Sequence, residues 1–310
     1  MILTLTLNPA VDKLVLVPDL RLGQVHRVDN SEFDPAGKGI NVSRVVNRLG
    51  WPTIAFGFLA GDVGSLVASA LADEGVQSYF VRVPGQTRLN VSIFDRATGA
   101  VTTFIEAGPV IAKERLEALE AQFSPWLEVS RVLVLAGNVP RGIPADVYAC
   151  YVRLASQAGA LAIVDADGES LRRGIAARPY LVKPNRAEAE RLLGRPLPDV
   201  SALAAAACEI LARGVHTVVI SCGAEGAICA QGSHVWQAVP PRVERRSTMG
   251  AGDAMVAGLA ISVLRGQDIV EGLRLGTAAG AACAMTPGTA LCPAAEVARL
   301  LPEVRVQQLS

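Results

Sequence analysis

The amino-acid sequence predicts an α/β fold: a doubly wound parallel sheet covered by helices, with a small β sheet standing apart from it. Three observations carry this expectation. Short apolar runs without polar alternation, at residues 2–7, 132–136, 161–164 and 217–220, have the composition of strands buried on both faces. Between them lie segments of helical periodicity, at 62–74, 112–122, 144–156 and 199–212, which supply the crossovers that parallel strands require. Residues 89–93 and 101–106 alternate apolar and polar side chains about the turn Asp95-Arg96-Ala97-Thr98-Gly99, the pattern of a hairpin with one wet face.

The first strand, residues 2–7, ends at Asn8-Pro9, a turn pair. Residues 13–17 and 25–33 are strand candidates that join the hairpin in the small sheet. That sheet, drawn from residues 12–35 and 87–107, is expected to close over a ligand as a lid. In segment 199–212, Leu203, Ala207, Ile210 and Leu211 share one helical face. Beyond residue 250 the pattern is helical, with Val256, Leu259, Ala260 and Val263 on one face, then segments 268–285 and 293–301. No repeat, low-complexity tract or long linker divides the chain, so residues 1–310 are expected to form one domain.

Lys plus Arg is 29 and Asp plus Glu is 29 in a chain of 310, so no net positive field draws it to nucleic acid or an anionic membrane. Hydrophobic residues at 51% and charged residues at 19% exclude a disordered chain. The six cysteines contain no C-x-x-C pair and the three histidines no metal-ligand spacing, so neither a zinc site nor a disulfide framework is expected. Residues 1–10 lack the basic leader of a signal peptide, and no apolar stretch reaches the roughly 20 residues of a membrane span. A cytoplasmic protein is expected.

Two glycine turns run into helical patterns. Gly250-Ala251-Gly252-Asp253 bares backbone N–H groups at a helix start, where an anion can be held without any side chain. Asp253 there is either a base beside a bound phosphoryl group or simply a capping residue. Gly37-Lys38-Gly39-Ile40-Asn41 repeats the arrangement and could grip a polyol or phosphosugar; the alternative is a tight turn with an exposed lysine. Asp12 is either a ligand-binding carboxylate or a loop residue. Ser221-Cys222-Gly223-Ala224-Glu225-Gly226 follows a strand and either frames a nucleotide or turns a hairpin. Lys183-Pro184-Asn185 with Glu188 fits both a capping box and a magnesium-linked element. There is no Walker A motif and no G-x-S-x-G, so no P-loop or serine hydrolase is indicated. A Rossmann oxidoreductase is a further possibility, opposed by the lack of G-x-G-x-x-G after the first strand, and failure to bind NAD would dispose of it.

Five ordered motifs, Thr6-Leu7-Asn8-Pro9-Ala10-Val11-Asp12, Ala36-Gly37-Lys38-Gly39-Ile40-Asn41-Val42, Thr87-Arg88-Leu89-Asn90, Lys183-Pro184-Asn185 and Ser247-Thr248-Met249-Gly250-Ala251-Gly252-Asp253, cover almost the whole chain. Together they resemble the PfkB branch of the ribokinase-like carbohydrate kinases. The resemblance implies a ribokinase-like three-layer αβα fold whose β lid often makes a homodimer. It also implies phosphoryl transfer from ATP and Mg2+ to a ketohexose phosphate. Fructose 1-phosphate stands ahead of fructose 6-phosphate and tagatose 6-phosphate, because the Gly-Lys-Gly turn is more similar to the members acting on fructose 1-phosphate and tagatose 6-phosphate. A sensor that binds without turnover is the competing class.

By resemblance, Asp253 is the general base and Gly250, Ala251 and Gly252 form the anion hole. Asp12, Gly37, Lys38, Gly39 and Asn41 contact the sugar, and Arg88 clamps its phosphate with Lys38 and Arg27 as further cations. Lys183, Asn185, Ser221, Gly223, Gly226 and Ser247 fall on the nucleotide side, and Asn185 and Glu188 on the metal side. Asn138 stands where Gly-Ser-Leu-Pro is common and bears on the choice of sugar. Cys222 replaces a common Leu, and Ala254 a frequent Ser.

Overall fold

The computed structural model describes residues 1–28, 31–288 and 290–309. The chain begins with β1 (Ile2–Thr6), β2 (Ala10–Val17), β3 (Ser31–Ala36), α1 (Lys38–Arg48), β4 (Thr53–Leu59), α2 (Gly61–Asp73) and β5 (Gln77–Arg82). It continues through β6 (Arg88–Asp95), β7 (Val101–Phe104), α3 (Lys113–Leu127), β8 (Val132–Ala136), α4 (Val147–Gln157), β9 (Leu161–Asp165), α5 (Gly168–Ala176) and β10 (Leu181–Val182). The last part comprises α6 (Arg186–Leu193), α7 (Val200–Leu211), β11 (Thr217–Ser221), β12 (Ala227–Gln231), β13 (His234–Val239), α8 (Ala251–Arg265), α9 (Ile269–Ala284), α10 (Ala294–Leu300) and β14 (Arg305–Leu309).

Ten strands form the large sheet in the order β14-β13-β12-β11-β10-β9-β8-β1-β4-β5. From β11 to β5 every pairing is parallel. The strands from β11 to β14 pair antiparallel, so the expected parallel sheet is instead mixed at one edge. The reason is local: only residues 222–226 separate β11 from β12, too few for a crossover helix, so the chain turns straight back. The order reverses about β1, where the chain first builds outward through β4 and β5 and then returns through β8. The crevice beyond the carboxyl ends of β1 and β8 is therefore the expected place for a ligand.

Alternation within each strand feeds two cores. Leu133 and Leu135 face α3, α4 and α7 through Phe123, Tyr148, Tyr151 and Leu203, whereas Val132 and Val134 face α1, α8 and α9 through Val45, Val256 and Ala278. Burial on both faces is why the β8 run carries no polar residue, each fully buried aliphatic side chain contributing about 1.5–3 kcal/mol. Helices α8 and α9 touch backbone to backbone: a Cβ on Gly258 would lie 2.5 Å from Gly276 N, so glycine permits the close approach.

The small sheet runs β3-β2-β6-β7, with β2 parallel to β6 and the other pairs antiparallel. The hairpin and the strand at 13–17 are found where expected. The strand expected at 25–33 is displaced: β3 occupies Ser31–Ala36 because its pairing with β2 runs from Ala10↔Ala36 to Val15↔Ser31. Residues 25–28 are outside any strand, and residues 29–30 of that expectation lie outside the described residues. No helix among the described residues is long and apolar enough to cross a membrane.

Candidate active site

Both glycine turns open helices in contact with one another, α1 and α8. Gly250, the N-cap of α8, has φ 75°, and a Cβ there would lie 2.7 Å from Leu291 Cδ2; a side chain would strain the backbone and displace the end of Leu291. Asp253 sits in the first turn of α8 and is buried, yet its side chain caps nothing. Its Oδ2 accepts instead from Asn41 Nδ2 at 2.8 Å, across from α1. Burial, then the nearby Asp165 carboxylate, push the Asp253 carboxyl up to about 6, against the Asn41 hydrogen bond and the Lys38 and Lys183 cations.

Asp165 ends β9 and is fully buried. Its Oδ1 accepts from Lys38 Nζ at 2.9 Å, and Lys183 Nζ lies 3.5 Å from Oδ2, an oxygen without a hydrogen bond. Burial works to raise the Asp165 carboxyl, but the Lys183 and Lys38 ammonium groups outweigh it and hold the group below the usual range. Lys38 also donates to Glu188 Oε1 at 3.3 Å. Burial would lower the Lys38 ammonium, but Asp165, Glu188 and Asp253 overcome it and hold the group above the usual lysine value, so it stays charged. Lys183 follows β10, and a Cβ on Gly252 would lie 3.5 Å from its Nζ, which puts a buried cation beside the glycine turn.

The capping box expected at the start of α6 is present. Asn185 Oδ1 accepts from Glu188 N at 2.9 Å, and Glu188 Oε2 accepts from Asn185 N at 2.8 Å. Glu188 thus caps with one oxygen and meets Lys38 with the other.

Two cavities meet at this cluster. The larger, about 650 Å³, is lined by Lys183, Asn185, Glu188, Ser221, Gly223, Gly226, Ala251 and Gly252 among others, with an apolar flank from Pro240, Val243, Met255, Ala281 and Ala284. The smaller, about 230 Å³, is lined by Asp12, Gly37, Asn41, Arg88, Asn90 and Gly250 among others. Among the described residues, Lys38 and Asp253 alone line both. In the smaller cavity Asp12 Oδ1 accepts from Asn90 Nδ2 at 2.8 Å, and Arg88 Nε donates to the carbonyls of Asn8 (3.1 Å) and Pro9 (3.4 Å). Burial raises the Asp12 carboxyl, countered in part by the Asn90 hydrogen bond and the Arg88 charge.

Four sequence-predicted residues stand outside these walls. Gly39 lies in α1, where a Cβ would come 2.5 Å from Thr6 Oγ1. Ser247 accepts from Met249 N at 3.2 Å, below the glycine turn. Asn138 and Arg27 are exposed and line neither cavity. Asp165 and Asn90 were not among the predicted residues. The signal for Asp165 was a carboxylate at the carboxyl end of an apolar strand, where open α/β sheets bind ligands.

The profile of the pfkB family carbohydrate kinases matches residues 4–296. The chain belongs to that family. Such a kinase is a phosphotransferase. A 1-phosphofructokinase of Rhodobacter capsulatus is 37% identical over 309 residues, covering 99% of this chain and 98% of its own. One from Xanthomonas campestris pv. campestris is 38% identical over 266 residues, 84% of each chain. Among solved structures, phosphofructokinase-2 from Escherichia coli, in complex with potassium, superposes with a TM-score of 0.91 at 32% identity, over 97% of this chain and 98% of that one. The ribokinase-like fold expected from the sequence is the fold of these pfkB kinases.

Proposed function

We propose that the protein transfers the terminal phosphoryl group of magnesium-bound ATP to a hydroxyl of a ketohexose phosphate, with fructose 1-phosphate as preferred acceptor and fructose 1,6-bisphosphate as product. The observation that carries this reading is the position of Asp253, in the wall common to two cavities and at the N-terminus of a helix. The larger cavity has room and an apolar flank for a nucleotide. The smaller offers a carboxylate, an amide and a guanidinium to a phosphosugar. Relatives named 1-phosphofructokinase favour fructose 1-phosphate over fructose 6-phosphate and tagatose 6-phosphate.

In this reaction Asp253 takes the proton of the attacking hydroxyl, and Asn41 fixes the carboxylate for it. The N–H groups from Gly250 to Asp253 meet the oxygens of the migrating group, where preorganised donors act most strongly. Asp12, held by Asn90, accepts from a sugar hydroxyl, and Arg88 pairs with the phosphate already on the sugar. Ser221, Gly223 and Gly226 border the nucleotide. Magnesium fits the residues present. Asp165 carries a buried carboxylate oxygen without a hydrogen bond, and Glu188 lines the same cavity, both hard anionic donors. These two would hold it beside Asn185, and it would neutralise phosphate charge. Among the described residues no group of three His, Cys, Asp or Glu is placed to cage a metal, so phosphate and water would complete its shell.

The small sheet is the lid of this site and the contact of a homodimer. Its Phe33, Val101 and Phe104, with the adjoining Ile105, expose apolar surface. A monomer by light scattering at working concentration would remove the dimer. The six unpaired thiols suit a reducing cytoplasm. The experiment for the activity is ADP release with MgATP and each of the three phosphosugars. Fructose 1-phosphate should give the highest kcat/KM, and equal use of unphosphorylated fructose, or no ADP with any acceptor, would overturn the reading.

A further inference from the structure

We propose that Lys38 is a catalytic cation of the transfer step, its ammonium moving from Asp165 and Glu188 onto the oxygens of the migrating phosphoryl group. This rests on the kinase reading above. The first ground is position. Among the described residues, Lys38 and Asp253 are the two that line both cavities, so an atom passing from one cavity to the other passes between a cation and a carboxylate. The carboxylate takes the proton, which leaves the cation to meet the phosphoryl oxygens.

The second ground is the direction of the side chain. The turn that carries Lys38 borders the smaller cavity, but its Nζ is bonded to Asp165 and Glu188, which line the larger one alone. A sugar ligand would not be expected to lie there.

The third ground is that each carboxylate retains a second contact when Lys38 leaves. Asp165 keeps Lys183 at 3.5 Å on its other oxygen, and Glu188 keeps the Asn185 N–H on Oε2. Of the two lysines, Lys183 is 3% exposed in its side chain and Lys38 is 34% exposed, so Lys38 is the one with room to move. A flexible stem with a compact point charge suits a group that must change partners, which a rigid guanidinium fork does not.

The fourth ground is the anchor. A Cβ on Gly37 would lie 2.8 Å from Thr6 Cγ2 and one on Gly39 2.5 Å from Thr6 Oγ1, so the turn is seated against the end of β1 and the base of the lysine is fixed.

The step balances without any further reactant. The acceptor oxygen bonds to phosphorus, and the bridging bond to ADP breaks with its electron pair left on ADP. The hydroxyl proton passes to Asp253, and Lys38 keeps all its protons. Its charge offsets the negative charge gathered on three phosphoryl oxygens.

The test compares Lys38→Met and Lys38→Arg with the parent protein, once the parent's turnover has been measured. No turnover in the parent would sink the kinase reading itself. With a working parent, Lys38→Met should lower kcat about 10²–10³-fold, the usual loss for one transition-state donor, with the phosphosugar KM changed less than about threefold. Arginine should recover roughly tenfold by restoring the charge. A raised phosphosugar KM with kcat retained would make Lys38 an acceptor ligand and overturn the proposal, as would unchanged kcat. Should Lys38→Met not fold, the parent still decides. In a crystal with ADP, magnesium, tetrafluoroaluminate and phosphosugar, Lys38 Nζ should lie about 3 Å from a fluoride. An ammonium still bonded to Asp165 in that complex would refute the idea.

Discussion

Replacing Asp253 with asparagine should make the protein more stable and far less active, and the gain can be worked from the surroundings of the carboxylate. Burial and Asp165 raise its carboxyl from 3.8 to about 6. Between those values the native state binds more protons than the unfolded chain, so stability is intact below about pH 4, falls as pH rises, and stays reduced above about pH 6. At 1.36 kcal/mol per pH unit the reduction is on the order of 3 kcal/mol. Asparagine keeps an oxygen for Asn41 Nδ2 and carries no charge, so it removes most of that cost. At about 2 °C per kcal/mol for a chain of this size, the variant should melt a few degrees above the parent at pH 8 and level with it near pH 4. Loss of the base should lower kcat by roughly 10²–10⁴. The assay is thermal unfolding of both proteins, free of ligand and metal, across pH 4–8, with ADP release measured alongside. A melting difference that does not change with pH, or a variant less stable at pH 8, would refute this account of the buried carboxylate.

Arg88→Ala should raise the phosphosugar KM tenfold or more, about the weight of a charged hydrogen bond, with the ATP KM unchanged; steady-state titration of each substrate checks this. Gly250→Ala should destabilise the protein by about 1–3 kcal/mol in denaturant titration, since φ 75° and Leu291 Cδ2 at 2.7 Å both oppose a side chain. Glu188→Ala removes half of the capping box and should cost about 1 kcal/mol by the same titration.

The fold was legible wherever burial removes polar residues from a run. Val132–Ala136 is a strand at the limits expected from the sequence, and Leu161–Asp165 and Thr217–Ser221 lie within one residue of theirs. Thr53–Leu59 is an element of the same kind, buried at every position, and was passed over; its partner Gln77–Arg82, the half-buried edge strand, carries polar ends and no such run. The antiparallel edge was hidden for another reason. Ser221 to Gly226 fits a nucleotide loop and a hairpin equally well in sequence; in the structure it turns the hairpin that joins β11 to β12, and it borders the larger cavity. Of the site, the two glycine turns could be read because a bare helix start is a local pattern. For Asp165 the local signal, an acid at the end of an apolar strand, gives its place but not its partners, since Lys38 and Lys183 are brought to it from distant parts of the chain.

Capping and chemistry were set against each other in the sequence for Glu188 and Asp253, and the two acids differ in the structure. Glu188 caps with one oxygen and leaves the other for Lys38, so capping does not bar it from the cavity cluster. Asp253 stands where an acid commonly supports a helix start but bonds to Asn41 of another helix. A hydrogen bond to its own helix would have held the carboxylate low and stable. Turned toward Asn41 and buried beside Asp165, it is raised toward the range in which a base works near neutral pH. The separation is set by what lies opposite each acid in space, which a local sequence pattern does not contain. Stability lost at Asp253 and the proton affinity the proposed base requires thus have one cause, and the asparagine variant should reverse both together.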